Sequence, residues 1–211
     1  MNIVLILLAV IAALAAFAIA FNRHFLRDPE RTAPKGNFII APADGKVIDV
    51  VEITPGKMLD IDKGLFGRIK TITADLGSEP CTLVSIFMSP MDVHVQRMPI
   101  DGRIVGIQHK SGKFRVTNSL RAIDNERIET LIDSSIGTVK VIQIAGFLVR
   151  RIETYLSTQM NALRGQRMGI IKFGSQVSIL FPRRDDIRIK VQKGQRVTAG
   201  ETILAEYAEQ Q

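Results

Sequence analysis

The chain has 211 residues, and its one long apolar run lies at the N-terminus, so about 180 residues remain for a single folded domain. The formal net charge of +7 suits an anionic membrane surface. A nucleic-acid reader is disfavoured, because aromatic residues make up only 6% of the chain and are not interleaved with blocks of Lys and Arg. The single cysteine, Cys81, excludes an intrachain disulfide and a cysteine-cluster metal site, and its apolar setting predicts a small buried residue.

The apolar run from Ile3 to Phe21 predicts a membrane anchor, since its 19 residues carry no charge and a spanning helix needs roughly 20. A cleaved signal peptide is the alternative, because ALAAFAIA offers small residues, but a basic segment before the run is missing. Basic residues follow the run closely, which predicts a cytoplasmic C-terminal domain and an outward-facing N-terminus. These residues are Arg23, Arg27, Arg31 and Lys35.

These features divide the chain into a transmembrane anchor at 1–22, a basic juxtamembrane segment at 23–38 and a folded domain at 39–211. Pro29 and Pro34 predict that the juxtamembrane segment is irregular. Beyond it, short β-rich runs alternate with Gly, Pro and Asp turns. Strands are predicted at FIIA, GKVIDVVEI, CTLVSIFM, VHVQRM, GRIVGIQH, TVKVIQIAG, MGIIKFGSQVSILF, DIRIKV and ETILAEYA, and a helix at FLVRRIETYLSTQM (147–160).

Two turns share the pattern Pro-x-Asp-Gly-basic-aliphatic, in PADGKV and PIDGRIV, and each is predicted to begin a strand. The segment VQKGQRVTAGETIL has a spacing of glycines that resembles the hairpins of lipoyl- and biotinyl-type β-sandwiches. The predicted fold class is therefore mostly β with at least one covering helix (α+β), a compact β-sandwich with lipoyl/biotinyl-like hairpins behind one N-terminal transmembrane helix.

The stretch RMGIIKFGSQVSILFP places a serine where a core residue is expected. Written as one strand, it puts Ser175 on the same face as Ile171 and Val177. A hydroxyl on that face needs a hydrogen-bond partner, because burying it unpaired costs free energy. Gly174, directly before it, weakens a strand and tolerates unusual backbone geometry.

Three histidines are available for proton transfer. His24 lies in the basic segment and His109 at the end of a predicted strand, and we expect solvated or rim positions for both. His94 follows Asp92 after a Ser-Pro break, where side chains can converge on a cleft, although a lone strand histidine is more often structural. Asp44 in PADGKV indicates a turn aspartate on local grounds. Zinc-type spacings, a P-loop and a dinucleotide fingerprint are missing from the sequence.

Taken together, the segments resemble the phosphatidylserine decarboxylase proenzymes, in particular the short prokaryotic branch that includes archaetidylserine decarboxylases. The resemblance implies a membrane-anchored lyase that converts a serine phospholipid to the ethanolamine lipid and carbon dioxide. Its partners would be the lipid, the membrane and its own two cleaved chains. It spans nearly the whole chain through the order of FLRDPERT, APADGKV, SIFMSPMDVHVQRMPIDG, GKF, NERIE, VIQIAGFLVRRI, GQRMGIIKFGSQVSILFP and GQRVTAGETI.

The resemblance also implies that the proenzyme cuts itself between Gly174 and Ser175. Attack of the serine hydroxyl on the preceding carbonyl gives an ester, elimination gives dehydroalanine, and hydrolysis leaves a pyruvoyl group at position 175. This ketone replaces pyridoxal phosphate as the electron sink, and no metal is implied. His94 and Asp44 match positions associated with cleavage and turnover: Asp44 would orient or charge His94, which would activate Ser175 and could protonate the product.

One departure concerns Arg97, which stands where the longer bacterial enzymes carry a second histidine. Arginine cannot act as a base near neutral pH, and residues 94 and 97 face opposite sides of a regular strand, so the role does not transfer. A second departure is FGSQ in place of Leu-Gly-Ser-Thr, which leaves Gly-Ser intact.

Two other function classes remain open. A non-enzymatic membrane adaptor with a lipoyl-like β-sandwich would explain the anchor, but the coiled-coil heptads of such proteins are missing. A pyruvoyl decarboxylase of a soluble amino acid has no use for residues 3–21. The sequence does not distinguish phosphatidylserine from archaetidylserine as substrate and does not indicate an oligomeric state beyond the cleaved pair.

Overall fold

The computed structural model describes residues 3–53, 59–62, 68–71, 79–111, 126–145, 151–172 and 175–208. Helix α1 comes first, at Ile3–Phe25. The strands are β1 Phe38–Ile40, β2 Gly45–Ile53, β3 Leu59–Asp62, β4 Arg68–Thr71, β5 Cys81–Met88, β6 Val95–Arg97, β7 Gly102–Lys110, β8 Arg127–Ser134, β9 Gly137–Ile144, β10 Arg151–Thr154, β11 Asn161–Ala162, β12 Arg167–Lys172, β13 Ser175–Pro182, β14 Ile187–Ile189, β15 Arg196–Val197 and β16 Ile203–Tyr207.

Helix α1 confirms the N-terminal element as a helix long and apolar enough to cross a membrane, and its most apolar stretch is fully exposed on the protein surface. The helix ends a few residues later than predicted, because Arg23 and His24 form part of its last turn. Basic side chains there are favourable beside the negative end of the helix dipole. The last helical residue, Phe25, is buried against the folded domain. The helix therefore extends beyond the apolar run and packs against the domain at its C-terminal end.

The strands form a curled eight-stranded sheet, two three-stranded sheets and a separate hairpin. The order in the large sheet is β11-β7-β8-β9-β13-β5-β2-β15, and the smaller sheets are β10-β12-β6 and β1-β16-β14. One apolar core joins all three, since it contains Val84 of β5, Ile171 of β12 and Leu204 of β16. The mostly β prediction is therefore confirmed.

The single strand predicted across Gly174-Ser175 is two strands in two different sheets. Strand β12 pairs with β10 and β6, whereas β13 pairs with β5 and β9. Residues 173 and 174, between them, lie outside the described residues. All eight residues of β13 are buried, because one face packs in the main core through Val177 while the other packs through Leu180 in a second cluster.

The helix predicted at 147–160 is wrong over its described part. Residues 151–154 form β10, which pairs with β12, and 155–160 are irregular, while 146–150 lie outside the described residues. β-branched Ile152 and Thr154 suit a strand. Gly169, which lies opposite Thr154 on β12, allows the two strands to approach closely, since a Cβ there would lie 2.5 Å from the Glu153 carbonyl oxygen. Among the described residues, α1 is the only helix.

The repeated Pro-x-Asp-Gly turns both begin strands, β2 at Gly45 and β7 at Gly102, as predicted. Gly45 is required in its turn, because its φ is +146° and a Cβ would lie 2.2 Å from the Phe87 carbonyl oxygen. In VQKGQRVTAGETIL, β15 pairs with β2 and β16 with β1 and β14, so its two strands join different sheets. The lipoyl-type likeness stays a prediction.

Candidate active site

Ser175 is the first residue of β13 and is almost completely buried. It lies opposite Met88, the last residue of β5, and its hydroxyl donates to the Met88 sulfur at 3.2 Å. This thioether answers the question of a partner for the buried serine. Because sulfur is a weak acceptor, it satisfies the hydroxyl without holding it strongly. Gly174 lies outside the described residues.

His94 is fully buried and has a defined tautomer. Its Nδ1 lies 2.9 Å from the backbone carbonyl oxygen of Asp92. Because a carbonyl can only accept, Nδ1 carries the hydrogen in the neutral ring and Nε2 carries the lone pair. Nε2 is buried and has no hydrogen-bond partner among the described residues. His94 therefore presents a free base atom inside the protein.

The strand register brings Ser175 and His94 into neighbouring segments. The amide of Ile171, at the end of β12, donates to the His94 carbonyl at 3.2 Å, and Ser175 follows four residues later. On the other segment, Met88 faces Ser175 and His94 follows after the turn at 89–92. The two segments thus run side by side, with the serine near one end of the contact and the histidine near the other.

Two buried glutamines support the backbone at His94. Gln96 donates from Nε2 to the His94 carbonyl at 2.6 Å, and Gln143 donates from Nε2 to Gln96 Oε1 at 3.0 Å. These residues lie on β6 and β9, so the chain of hydrogen bonds joins a small sheet to the large one. A connected buried network of this kind fixes the backbone on which the histidine is mounted.

The end of helix α1 covers the histidine. The ring of Phe25 lies 4.0 Å from that of His94, centroid to centroid, with an interplanar angle of 31°. Burial lowers the pKa of His94 to about 4, against the opposing effect of the Asp92 carbonyl and carboxylate. The nearby Arg27 charge lowers this pKa further, and Asp44 opposes it. His94 is consequently a neutral proton acceptor near pH 7.

Asp44 lies in the turn before β2, where both of its carboxylate oxygens accept hydrogen bonds. Arg31 Nη2 donates to Oδ2 at 3.0 Å and the Ala199 amide donates to Oδ1 at 2.7 Å. Within the described part of the chain, the hydrogen bond that orients His94 is the one that its Nδ1–H donates to the Asp92 backbone carbonyl. The charge of Asp44 reaches His94 through space and favours the protonated ring.

Asp92 and Arg97 hold the site in place. The buried carboxylate of Asp92 accepts from the Ser89 amide at 2.7 Å and from Arg196. Arg97, also buried, donates from Nη2 to the Asp28 carboxylate at 2.7 Å and to the Pro29 carbonyl at 2.9 Å. Arg97 therefore ties the juxtamembrane segment to β6, a structural position and not that of a base.

The remaining predicted residues lie where the sequence placed them. His24 is exposed in the last turn of α1, and His109 is exposed at the end of β7, with Nε2 2.8 Å from Glu126. Cys81 is buried at the start of β5. Of the three histidines, His94 is thus the buried one, on the segment that adjoins β12 and β13.

Sequence reasoning missed three contributors to the site: Phe25, Arg27 and Met88. Arg27 donates from Nη2 to the Met91 carbonyl at 2.5 Å, on the turn that carries His94. The available indication in the sequence was FLRDPERT, because a charged motif directly after a long apolar helix can form ion pairs with the domain that follows. Its first residue contacts His94, its third holds the turn at Met91, and its fourth pairs with Arg97.

Comparison with known proteins assigns the family. The sequence profile of the family described as phosphatidylserine decarboxylase matches residues 18–205. The chain is 40% identical to a phosphatidylserine decarboxylase proenzyme of Chlorobium phaeobacteroides over 203 residues, which cover 95% of this chain and 86% of the relative. A protein of Methanothermobacter thermautotrophicus, provisionally named archaetidylserine decarboxylase proenzyme, is 40% identical over 192 residues, 90% of this chain and 82% of that protein. The chain belongs to the phosphatidylserine decarboxylase family.

Proposed function

We propose that this protein is a self-processing, pyruvoyl-dependent decarboxylase that acts on a serine phospholipid at the membrane and leaves the ethanolamine lipid and carbon dioxide. The observation that carries the proposal is that a buried, weakly held hydroxyl at Ser175 and a buried base atom at His94 Nε2 lie on adjoining segments, joined by the Ile171 amide and the His94 carbonyl. Family membership supports the same chemistry. The substrate headgroup is phosphoserine, whether the lipid is phosphatidylserine or archaetidylserine.

The first reaction is cleavage between Gly174 and Ser175. The Ser175 oxygen attacks the Gly174 carbonyl carbon while its proton passes to His94 Nε2, and that proton then moves to the Ser175 nitrogen as the peptide bond breaks. The ester formed is lost by β-elimination, in which Ser175 gives up its α-proton and residue 174 leaves as a carboxylate. Hydrolysis of the dehydroalanine releases ammonia and leaves the pyruvoyl group. The mature chains are residues 1–174 and 175–211.

The environment of Ser175 fits this group. The position is almost closed to solvent, and among the described residues its hydroxyl contacts a thioether. The hydroxyl oxygen leaves with residue 174, Cα becomes the ketone carbon and Cβ a methyl group, so the change breaks no strong hydrogen bond. When present, the pyruvoyl group supplies a carbonyl that combines with the substrate amine and accepts electrons as carbon dioxide leaves. His94 holds and returns a proton at Nε2, and the Asp44 charge stabilises its protonated form.

We also propose the placement of the protein in the membrane. Residues 1–22 are the anchor, 23–38 the juxtamembrane segment and 39–211 the decarboxylase domain on the cytoplasmic side. The exposed apolar surface of α1 and the basic residues that follow it support this arrangement. A lipid substrate gives the anchor its purpose, because it confines the enzyme to the surface where the substrate lies.

Intact mass of the purified full-length protein tests the cleavage. We expect a 37-residue fragment of about 4 kDa, in proportion to 23.4 kDa for 211 residues, that begins with pyruvoyl at position 175. Ser175→Ala should remain one chain and release no carbon dioxide from phosphatidylserine vesicles. Ser178→Ala is the matched control, because Ser178 is buried in the same strand and bonds Ser85 instead. An active wild-type protein found only as the uncut chain would refute the proposal.

A further inference from the structure

The segment Leu26–Arg31, here called the juxtamembrane strap, lies across the site and is held by ion pairs. Asp28 accepts from Arg97 at 2.7 Å and also binds Arg167. Arg31 donates to Asp44 at 3.0 Å and lies 3.4 Å from Glu201. Glu30 also pairs with a cation of the domain, at 2.7 Å. Through these ion pairs the strap is attached to the sheet of β6 and β12 and to the turn before β2.

Arg27 is the exception in the strap, because within the described residues it pairs with no carboxylate. Its guanidinium donates to two backbone carbonyls, from Nη1 to His24 at 2.7 Å and from Nη2 to Met91 at 2.5 Å. The side chain is half-buried. Two of its five N–H donors are thus used by neutral groups, while its charge stays uncompensated. A partly desolvated charge held in this way favours an anionic ligand.

The position of Arg27 identifies the kind of anion. Arg27 follows Phe25, whose ring covers His94, by two residues, and Met91 precedes His94 by three. The guanidinium therefore joins the end of the membrane helix to the turn of the catalytic histidine. Leu26 and Met91 beside it expose apolar side chains. A cation flanked by apolar side chains at the end of a membrane-spanning helix lies at the depth of lipid headgroups.

We propose that Arg27 binds the phosphodiester of the lipid headgroup and so directs its serine moiety towards Ser175 and His94. The planar guanidinium suits phosphate oxygens, which it can bind through two parallel hydrogen bonds. The inference rests on the proposed function and adds to it a residue that selects phosphate-bearing serine lipids. Serine amphiphiles without phosphate would lack this contact.

Kinetics of full-length variants in neutral detergent micelles test the assignment. Arg27→Gln should raise KM for phosphatidylserine roughly tenfold to hundredfold, as expected for loss of a hydrogen bond between charged groups. Arg23→Gln is the control, because Arg23 lies one helical turn earlier, is exposed and carries the same charge. It should change KM less than about twofold. With an O-alkylserine amphiphile that lacks phosphate, Arg27→Gln and wild type should have the same KM.

Two outcomes would overturn the assignment. Equal KM increases in the Arg27 and Arg23 variants would mean general charge attraction. If Arg27→Gln raised KM for the phosphate-free amphiphile as much as for phosphatidylserine, Arg27 would only shape the site. Arg27→Lys should give an intermediate KM. Failure of the proposed function is recognised separately, as an uncut or inactive wild-type chain.

Binding provides a readout that does not depend on processing. In the uncut Ser175→Ala chain, phosphorus NMR should detect glycerophosphoserine binding that is lost on adding Arg27→Gln and kept on adding Arg23→Gln. Undiminished binding in the Arg27 variant would refute the phosphate contact even where the variant fails to mature.

Discussion

Titration of His94 is the most direct measure of how the end of helix α1 affects the site. The pKa of about 4, against an ordinary value of 6.5, corresponds to about 3 kcal/mol against protonation in the folded protein. Burial is the largest cause, and the Phe25 ring at 4.0 Å forms part of that burial. Phe25→Ala should admit water and raise the pKa from about 4 towards 6.5. Phe25→Leu, which keeps apolar bulk, should raise it less.

The same shift makes stability depend on pH with a definite sign. Between about pH 4 and 6.5 the unfolded chain binds a proton at His94 that the folded chain does not. The contribution of neutral His94 to the free energy of unfolding is therefore fully present above pH 6.5 and is lost as pH falls towards 4. From pH 7.5 to pH 5 we expect a decrease in unfolding free energy of about 2 kcal/mol from this group. His94→Gln should remove that part of the decrease.

The measurement uses the full-length chain in the uncut Ser175→Ala background, so that one polypeptide is followed. The protein has three histidines, and His94→Gln identifies the His94 ring signals in the NMR spectrum. We expect those signals to stay unchanged down to about pH 5. A His94 that titrates near 6.5 in the intact protein, or one whose pKa is unaffected by Phe25→Ala, would refute the reasoning.

The other predictions concern maturation, structure and topology. On a denaturing gel, His94→Gln should accumulate uncut chain and Asp44→Asn should cleave more slowly. The control His109→Gln should mature normally. A His94 variant that is cleaved but inactive would restrict this residue to turnover. Arg97→Lys should lower the unfolding free energy by about 1–3 kcal/mol, measured by denaturant titration, because its buried hydrogen bonds are lost while cleavage continues. Protease added outside intact cells should spare the domain that follows residues 3–21. Digestion of this domain under those conditions would reverse the proposed orientation.

Much of the strand pattern could be predicted, because it depends on local features. Alternating aliphatic residues and Gly-, Pro- and Asp-containing turns located β2, β5 and β9, and Gly45 and Gly102 begin strands as expected. Strand β8 at Arg127–Ser134 was missed because RIETLIDS mixes charged and apolar residues without strict alternation. The helix predicted at 147–160 was wrong over its described part, 151–160, because pairing of β10 with β12 is a non-local contact that overrides local propensity.

The sequence indicated which residues form the site but not which residues they contact. A Gly-Ser pair in an apolar strand and a histidine after a Ser-Pro break indicated Ser175 and His94. Met88 lies 87 residues from the serine it contacts, and the Ala199 amide lies 155 residues from Asp44. Neither separation has a periodic signature, so only the folded chain brings these groups together. The tautomer of His94 likewise depends on one backbone carbonyl whose direction no residue type specifies.

The strap links helix α1 to the folded domain and to the site. Because Asp28 binds Arg97 on β6 and Arg31 binds Asp44 before β2, the end of α1 is fixed to two different sheets while Phe25 covers His94. The functional boundary therefore falls inside the basic segment and not at the end of the apolar run. Removing residues 1–22 would leave the ring on the histidine, whereas removing 1–31 would uncover it and expose its partners to water. The residues that fix the end of α1 to the domain are thus the same ones that hold Phe25 over the histidine and keep its pKa low.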